Sequence, residues 1–218
     1  MTRDRERVVW LVDGFNLYHS LEICDREKPG ALKWLNLNQL ASEHLSAISP
    51  NAELAEVRYY SALPWHLTAT DPARLARHEA YLRALTAWRP TTKVSLGHFQ
   101  SHGWDGRRHW REKGTDVSIA TDVMELAMDG AVDHVVIVSG DADYVPLAEM
   151  IRRRFIGLSL RFAFPASRFS RRLRTLCPGS FTLTAESYRR CQFPPSVRLP
   201  SGRQVHCPKE WLGPDRSG

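Results

Sequence analysis

The sequence lacks any apolar run approaching the ~20 residues of a membrane-spanning helix, and the run before Asp13 is too brief for a signal-peptide core. The expectation is a cytoplasmic protein with no membrane partner. Cysteine is sparse, and Cys24, Cys177, Cys191 and Cys207 form no C-x-x-C pair. That spacing argues against structural zinc and for free thiols in a reducing compartment. The nearest approach to a cluster is His206-Cys207 with Cys191. There is no internal repeat and no low-complexity tract. No Ser-His-Asp or Cys-His pattern stands out as a nucleophile.

What remains is an ordinary globular composition. The chain has 218 residues, 43% hydrophobic and 25% charged, enough for one well-buried core with a small appendage. Its formal charge of +6 admits a polyanionic partner, although a basic surface that is merely solvated has the same charge.

Strand-like and helix-like segments alternate. Val8–Val12, Val57–Leu63, Lys93–Phe99, His134–Ser139, Gly157–Phe164 and Phe181–Leu183 read as strands. Helices are expected over Leu17–Ile23, Leu37–Ile48 with Asn36 or Asn38 as cap, Asp71–Trp88, Asp116–Met128, Tyr144–Arg154 and Ser167–Leu176. Phe169, Leu173 and Leu176 of the last helix are expected to face the core. Gly130 is a natural stop for the helix over Asp116–Met128. Gln100–Gly114 has glycines, aromatics and basic residues without a period, as in a loop or hairpin. Residues from about Phe193 are Pro-rich and expected to be irregular. This alternation predicts one α/β domain over residues 1–185, a mostly parallel sheet with helices on both faces, and a tail over 186–218.

In "VVWLVDGFNLYHS" a buried strand ends abruptly in Asp13-Gly14-Phe15-Asn16. Ligands of open α/β sheets sit at the carboxyl ends of strands, near a switch in strand order. Ser139, Asp141 and Asp143 follow "HVVIV" at such an end. Asp116 lies in the first turn of the preceding helix, and a crossover helix runs antiparallel to the strands, so its N-terminus falls on the same edge. Three separate carboxylates should meet there. Two of them about 4 Å apart repel by roughly 4 kcal/mol at an effective dielectric near 20. Either one takes up a proton or a cation intervenes, and hard oxygen donors favour Mg²⁺ or Mn²⁺. Taken singly, each acid has a plainer explanation: Asp116 and Asp143 as helix caps, Asp141 at a helix dipole, Asp13-Gly14 as a turn.

"VDGFNLY", "EKGTDVSIATDVMELA" and "VIVSGDADYVPLAE", in that order and spacing, resemble the NYN domain, specifically the DUF88/LabA-like branch of the PIN-like nucleases. The "LPSGRQVHCPKEW" tail resembles the ending of many such bacterial proteins. The resemblance implies a flavodoxin-like, three-layer α/β/α sandwich that hydrolyses RNA at an acidic centre with Mg²⁺ or Mn²⁺. By the same correspondence Asp13, Asp116 and Asp141 are metal ligands. Asn16 and Asp143 complete the catalytic set, with Asp122 a lesser candidate. The "GDADY" segment departs from the commoner "SGDSDF" at Ala142 and Tyr144, which removes no carboxylate.

Substrate contacts are expected from Lys113 and Ser139, and from Arg107, Arg108 and Arg111 interleaved with Trp104 and Trp110, aromatics on which bases could stack. Two further basic runs are Arg152–Arg154, expected to be a solvated helix end, and Arg168, Arg171, Arg172 and Arg174. RNA is the expected partner, with a homodimer and a regulatory protein partner left open. The competing expectations are a catalytically silent RNA-binding regulator and a 5′-nuclease acting on DNA. An aspartyl-nucleophile phosphatase is disfavoured by Phe15, where that chemistry wants a second Asp.

Overall fold

A computed structural model describes residues 5–27, 32–64, 70–88, 91–102 and 109–212. In chain order the elements are β1 (Glu6–Asp13), α1 (Gly14–Glu27), α2 (Leu37–Glu43), α3 (Leu45–Ile48), β2 (Ala52–Ala62), α4 (Pro72–Trp88), β3 (Thr92–His102), β4 (His109–Lys113), α5 (Thr115–Asp129), β5 (His134–Val138), α6 (Val145–Arg154), β6 (Ser159–Phe164), α7 (Arg171–Leu176), β7 (Phe181–Thr182), α8 (Ala185–Arg190), β8 (Ser196–Arg198) and β9 (Gln204–His206). Short 3-10 turns follow β5 and β9.

The seven-stranded sheet has the order β4-β3-β2-β1-β5-β6-β7, parallel throughout except for β4 against β3. From β1 the chain moves outward to β2 and β3, then returns through α5 to place β5 on the other side of β1. The order therefore reverses between β1 and β5, and their carboxyl ends define the crevice in which such sheets bind ligands.

Strand periodicity splits the core into two layers. Val8, Trp10 and Val12 face one side, against Leu17 and Leu21 of α1, Leu37 and Leu40 of α2, and Tyr81 and Leu85 of α4. Val9 and Leu11 face the other, against Ile119 and Val123 of α5 and Leu147 and Ile151 of α6. Each fully buried side chain of this kind contributes about 1.5–3 kcal/mol. The result is the expected α/β fold, with helices on both faces of a mostly parallel sheet. Gly130 ends α5 in the left-handed region (φ 59°), as its position predicts. Among the described residues no helix is long and apolar enough to cross a membrane.

Four local expectations change. The helix expected over Leu37–Ile48 is broken at His44, whose backbone N–H turns back to Ala41 while its ring Nδ1 lies 2.9 Å from the Leu40 carbonyl. The strand expected over Lys93–Phe99 runs on to His102 and pairs with β4, so of the loop or hairpin expected over Gln100–Gly114 the hairpin forms, its tip lying outside the described residues. The helix expected from Ser167 starts only at Arg171, capped by Ser170, because Ser167 adopts φ 63°. Phe169 consequently falls outside it and is 53% exposed, edge-on to Phe164, instead of facing the core; Leu173 is fully buried.

The fourth change concerns the residues after Arg190, which form the β8–β9 hairpin and pack into the first core layer. Phe193, Val197, Val205 and Cys207 are buried there, and the Trp34 indole N–H donates to the Pro194 carbonyl at 2.9 Å. Proline here sets the path of a docked segment and does not leave it irregular.

Candidate metal centre

Asp13 is the last residue of β1, and α1 begins at the next residue without a connecting loop. Gly14 permits this: a Cβ there would lie 2.5 Å from the Tyr60 carbonyl oxygen of β2. The Asp13 carboxylate is only 5% exposed and has both oxygens occupied. Oδ1 accepts the Asn16 backbone N–H at 2.9 Å, and Oδ2 accepts the Ser139 hydroxyl at 3.0 Å. The Asn16 carboxamide oxygen reaches across to the Gly140 N–H at 3.0 Å, which ties the β1–α1 junction to the loop after β5. Gly140 is required for space, since a Cβ built there would fall on the Arg168 carbonyl.

Ser139, expected to orient Asp13, the water or a phosphate oxygen, is fully buried and makes the first of these contacts. Its Oγ donates to Asp13 and accepts the Asp141 N–H at 3.1 Å, so it orients two acids and has no face left for a ligand. Asp141 Oδ1 caps the following turn by accepting the Asp143 N–H at 3.0 Å. Asp116, exposed in the first turn of α5, accepts the Tyr144 hydroxyl at 2.8 Å. Tyr144, to which the sequence assigned no role, is thereby the strut between α5 and the β5 loop. Its phenol is held well above its ordinary range by burial first and then by the charges of Asp13 and Asp116.

Burial pushes the Asp13 carboxyl up to about 6. The bonds from Asn16 and Ser139 pull it down, and the charges of Asp116 and Asp141 push it further up. Asp13, Asp116 and Asp141 thus share one electrostatic neighbourhood. They do not form a closed cage: among the described residues no three His, Cys, Asp or Glu side chains gather closely enough to enclose an ion. This donor set fits a hard, hydrated divalent cation that takes one or two carboxylates directly and fills its shell with water and phosphate oxygens. It does not fit an ion enclosed wholly by protein.

The remaining candidates separate by position. Asp143 is exposed beside the centre. Lys113 ends β4, exposed, three residues before Asp116. Arg111 and Trp110 lie on β4, opposite Gln100 and Ser101. Arg107, Arg108 and Trp104 fall outside the described residues. Asp122 is taken by Arg58 (2.9 Å) and the Tyr60 hydroxyl on the face of the sheet, a structural ion pair away from the other acids. Arg152, Arg153 and Arg154 occupy the last turn of α6, which points to the amino edge of the sheet, away from the centre. Arg172 pairs with Glu149, while Arg168 and Arg171 sit at the carboxyl edge near Gly140. The four cysteines are buried, and burial lifts the Cys177 and Cys191 thiols to about 11 and 12, which makes them poor nucleophiles.

Sequence reading passed over Arg74, Arg77 and His78. Their i, i+3, i+4 spacing on one side of α4 was the available signal.

The family model of the NYN domain matches residues 7–183 of this chain. A comparison with curated proteins found no match. Among solved structures, a protein of unknown function from Vibrio parahaemolyticus RIMD 2210633, VPA0982, aligns over 85% of this chain and 98% of its own with a TM-score of 0.57. At 22% identity that likeness bears on the fold alone. The family match spans β1, α5 and the loop after β5, and with them every acid of the centre; the chain belongs to the NYN domain family.

Proposed function

We propose that the protein is a divalent-metal-dependent ribonuclease of the DUF88/LabA-like branch, with Mg²⁺ or Mn²⁺ held among Asp13, Asp116 and Asp141, by one or two of them directly and by the rest through water. The observation that carries this reading is the buried Asp13 carboxylate at the β1/β5 switch, raised to about 6 beside two further acids. A buried charge with like-charged neighbours is unfavourable unless a cation offsets it. Family membership supports nuclease chemistry and a nucleic-acid substrate.

A divalent ion held there would supply a more acidic water and would polarise the scissile phosphate. The chain's own residues keep the ligands in place. Asn16 and Ser139 fix the Asp13 carboxylate in one orientation through its two oxygens, and Tyr144 does the same for Asp116. Held in this way, the acids need little rearrangement when charge develops on the phosphate. Asp143 adds an exposed acceptor beside the centre. Lys113 at the end of β4 is the proposed contact to the RNA backbone, with Arg107, Arg108 and Arg111, close to it in sequence, proposed to join it.

Purified protein incubated with labelled single-stranded RNA, duplex RNA or DNA, in Mn²⁺, Mg²⁺ or EDTA, tests this. Metal-dependent RNA cutting that disappears in Asp141→Asn is expected. Cutting confined to DNA would instead assign a DNA nuclease. The open donor set, in which no three His, Cys, Asp or Glu side chains of the described residues enclose an ion, also admits a regulator that binds RNA without turnover. Binding with no cutting in any metal would establish it.

A further inference from the structure

A cleft of about 580 Å³ opens between α1, the carboxyl end of β2 and α4, directly beside the acidic centre. Gly14 and Phe15 line it, and so does Tyr59, whose phenol is lifted to about 12 by burial and feels the Asp13 charge. The volume suits a small molecule or a single nucleotide and excludes a duplex.

Its surface combines ring faces with cations. Two cations approach the Tyr18 ring and its hydroxyl: Lys33, whose Nζ is 4.8 Å from the ring centroid, and the Arg74 guanidinium, 5.8 Å from it. Phe15 meets Phe99 edge-on at 5.5 Å on the side toward β3. The cations differ in what already neutralises them. Lys33 pairs with Glu22 at 3.3 Å, and Arg77 pairs with Asp71 and, at 3.2 Å, with Glu210. Among the described residues Arg74 has no carboxylate partner and only a long bond, 3.5 Å, to the Tyr18 hydroxyl. Deeper in, His78 lies 3.4 Å from the Ser61 hydroxyl. Burial, with the Arg74 charge, lowers His78 to about 4, so at neutral pH it offers an uncharged donor and acceptor.

From this arrangement we infer that the cleft is a nucleotide subsite: it takes one unpaired nucleotide of the strand next to the scissile phosphate, its base against Tyr18 and Phe15 and its phosphate on Arg74. The inference rests on the ribonuclease reading and deepens it: a site that holds one unstacked base selects single-stranded RNA. An aromatic face beside a guanidinium that no carboxylate of the described residues neutralises is the pairing that nucleotides recruit. Neutral His78 and Ser61 supply hydrogen bonds for a base edge without adding charge.

The test is equilibrium binding in EDTA, which needs no turnover. Adenosine monophosphate, adenosine and inorganic phosphate are titrated separately into the full chain at millimolar concentrations. The monophosphate should bind more tightly than either part and should compete with single-stranded RNA. Arg74→Gln and Tyr18→Leu should each weaken it about tenfold, the scale of one stacked base or one charge-assisted contact, with melting curves unchanged. Asp141→Asn should bind it as the parent does. In cleavage assays the two cleft variants should raise KM for single-stranded RNA with kcat nearly constant. If RNA is cut but neither variant alters mononucleotide binding or KM, or if no mononucleotide binds, the subsite is refuted and the nuclease stands. If mononucleotide binding is lost in the cleft variants but no nucleic acid is ever cut, the subsite stands and the nuclease reading fails.

Discussion

Asp13 concentrates the chemistry of the molecule in one side chain, and its protonation makes a stability prediction. Its carboxyl titrates near 6 in the folded protein against an ordinary 3.8, so between those values the folded state holds a proton that the unfolded chain has released. The contribution of Asp13 to stability therefore falls as pH rises through that window, by about 3 kcal/mol, while His78, lowered to about 4, contributes the opposite slope, so the Asp13 effect is read as a difference between parent and variant. Replacing the charge removes this cost: Asp13→Asn keeps an acceptor for the Asn16 N–H, and its new amide can donate to Ser139. Without divalent ions the variant should be more stable than the parent at neutral pH, with the gap closing toward pH 4, while its RNA cleavage is abolished. Urea unfolding of both proteins across this range measures it, and a gap independent of pH would contradict the assignment. Mn²⁺ should raise the neutral-pH melting temperature of the parent and leave that of the variant nearly unchanged. Asp13 and Asp141 were legible in the sequence because each ends or follows an apolar run, and Asp116 because it lies in the first turn of an expected helix. Tyr144 was visible only as a hydroxyl nearby, since its bond to Asp116 spans 28 positions of chain.

At the scale of elements, the centre depends on junctions with no slack. β1 passes into α1 at Asp13 without a loop, and the β5–α6 connection is pressed against Arg168 at Gly140. Gly140→Ala adds one methyl group that must displace backbone, which typically costs about 1–3 kcal/mol. The displaced segment carries Asp141, so cleavage should fall by a larger factor than the lost stability explains. Melting temperature and kcat measured on the same preparation would separate the two effects; unchanged activity would show that the segment can shift without consequence. Most strands and helices follow from periodicity, but their ends do not. The break at His44 follows from a ring that competes for the Leu40 carbonyl, a contact invisible to a hydrophobic pattern. The β3–β4 arm likewise lacks apolar alternation and is held by cross-strand pairing.

At the scale of the whole molecule, the family match ends at residue 183, yet the first core layer does not. Phe193 is fully buried against Trp34, with ring centroids 5.8 Å apart, and Trp211 closes the end of the cleft above Tyr81. A chain ended after Leu183 would leave Trp34 and Tyr81 uncovered and should be insoluble or unfolded. In the full chain, Phe193→Ala should cost about 3–5 kcal/mol. Circular dichroism melting of both is the check, and a truncated chain that melts like the parent would reduce α8 and the β8–β9 hairpin to an accessory. Tail composition misled here: prolines mark an absence of helix and sheet, and only burial tells whether such a segment is docked.

The sequence by itself determined that an α/β sheet forms and that its acids emerge at strand ends, because an apolar run bounded by polar residues records where a buried strand reaches solvent. It also determined their common edge, since crossover helices must run against the strands they connect. Tertiary structure alone decided that β5 lies next to β1, that Asp122 is spent on Arg58, and that α4 brings Arg74, without a carboxylate partner among the described residues, to the cleft. These outcomes depend on which distant surfaces bury the most area and leave the fewest polar atoms unsatisfied, a competition among long-range contacts that local periodicity does not encode.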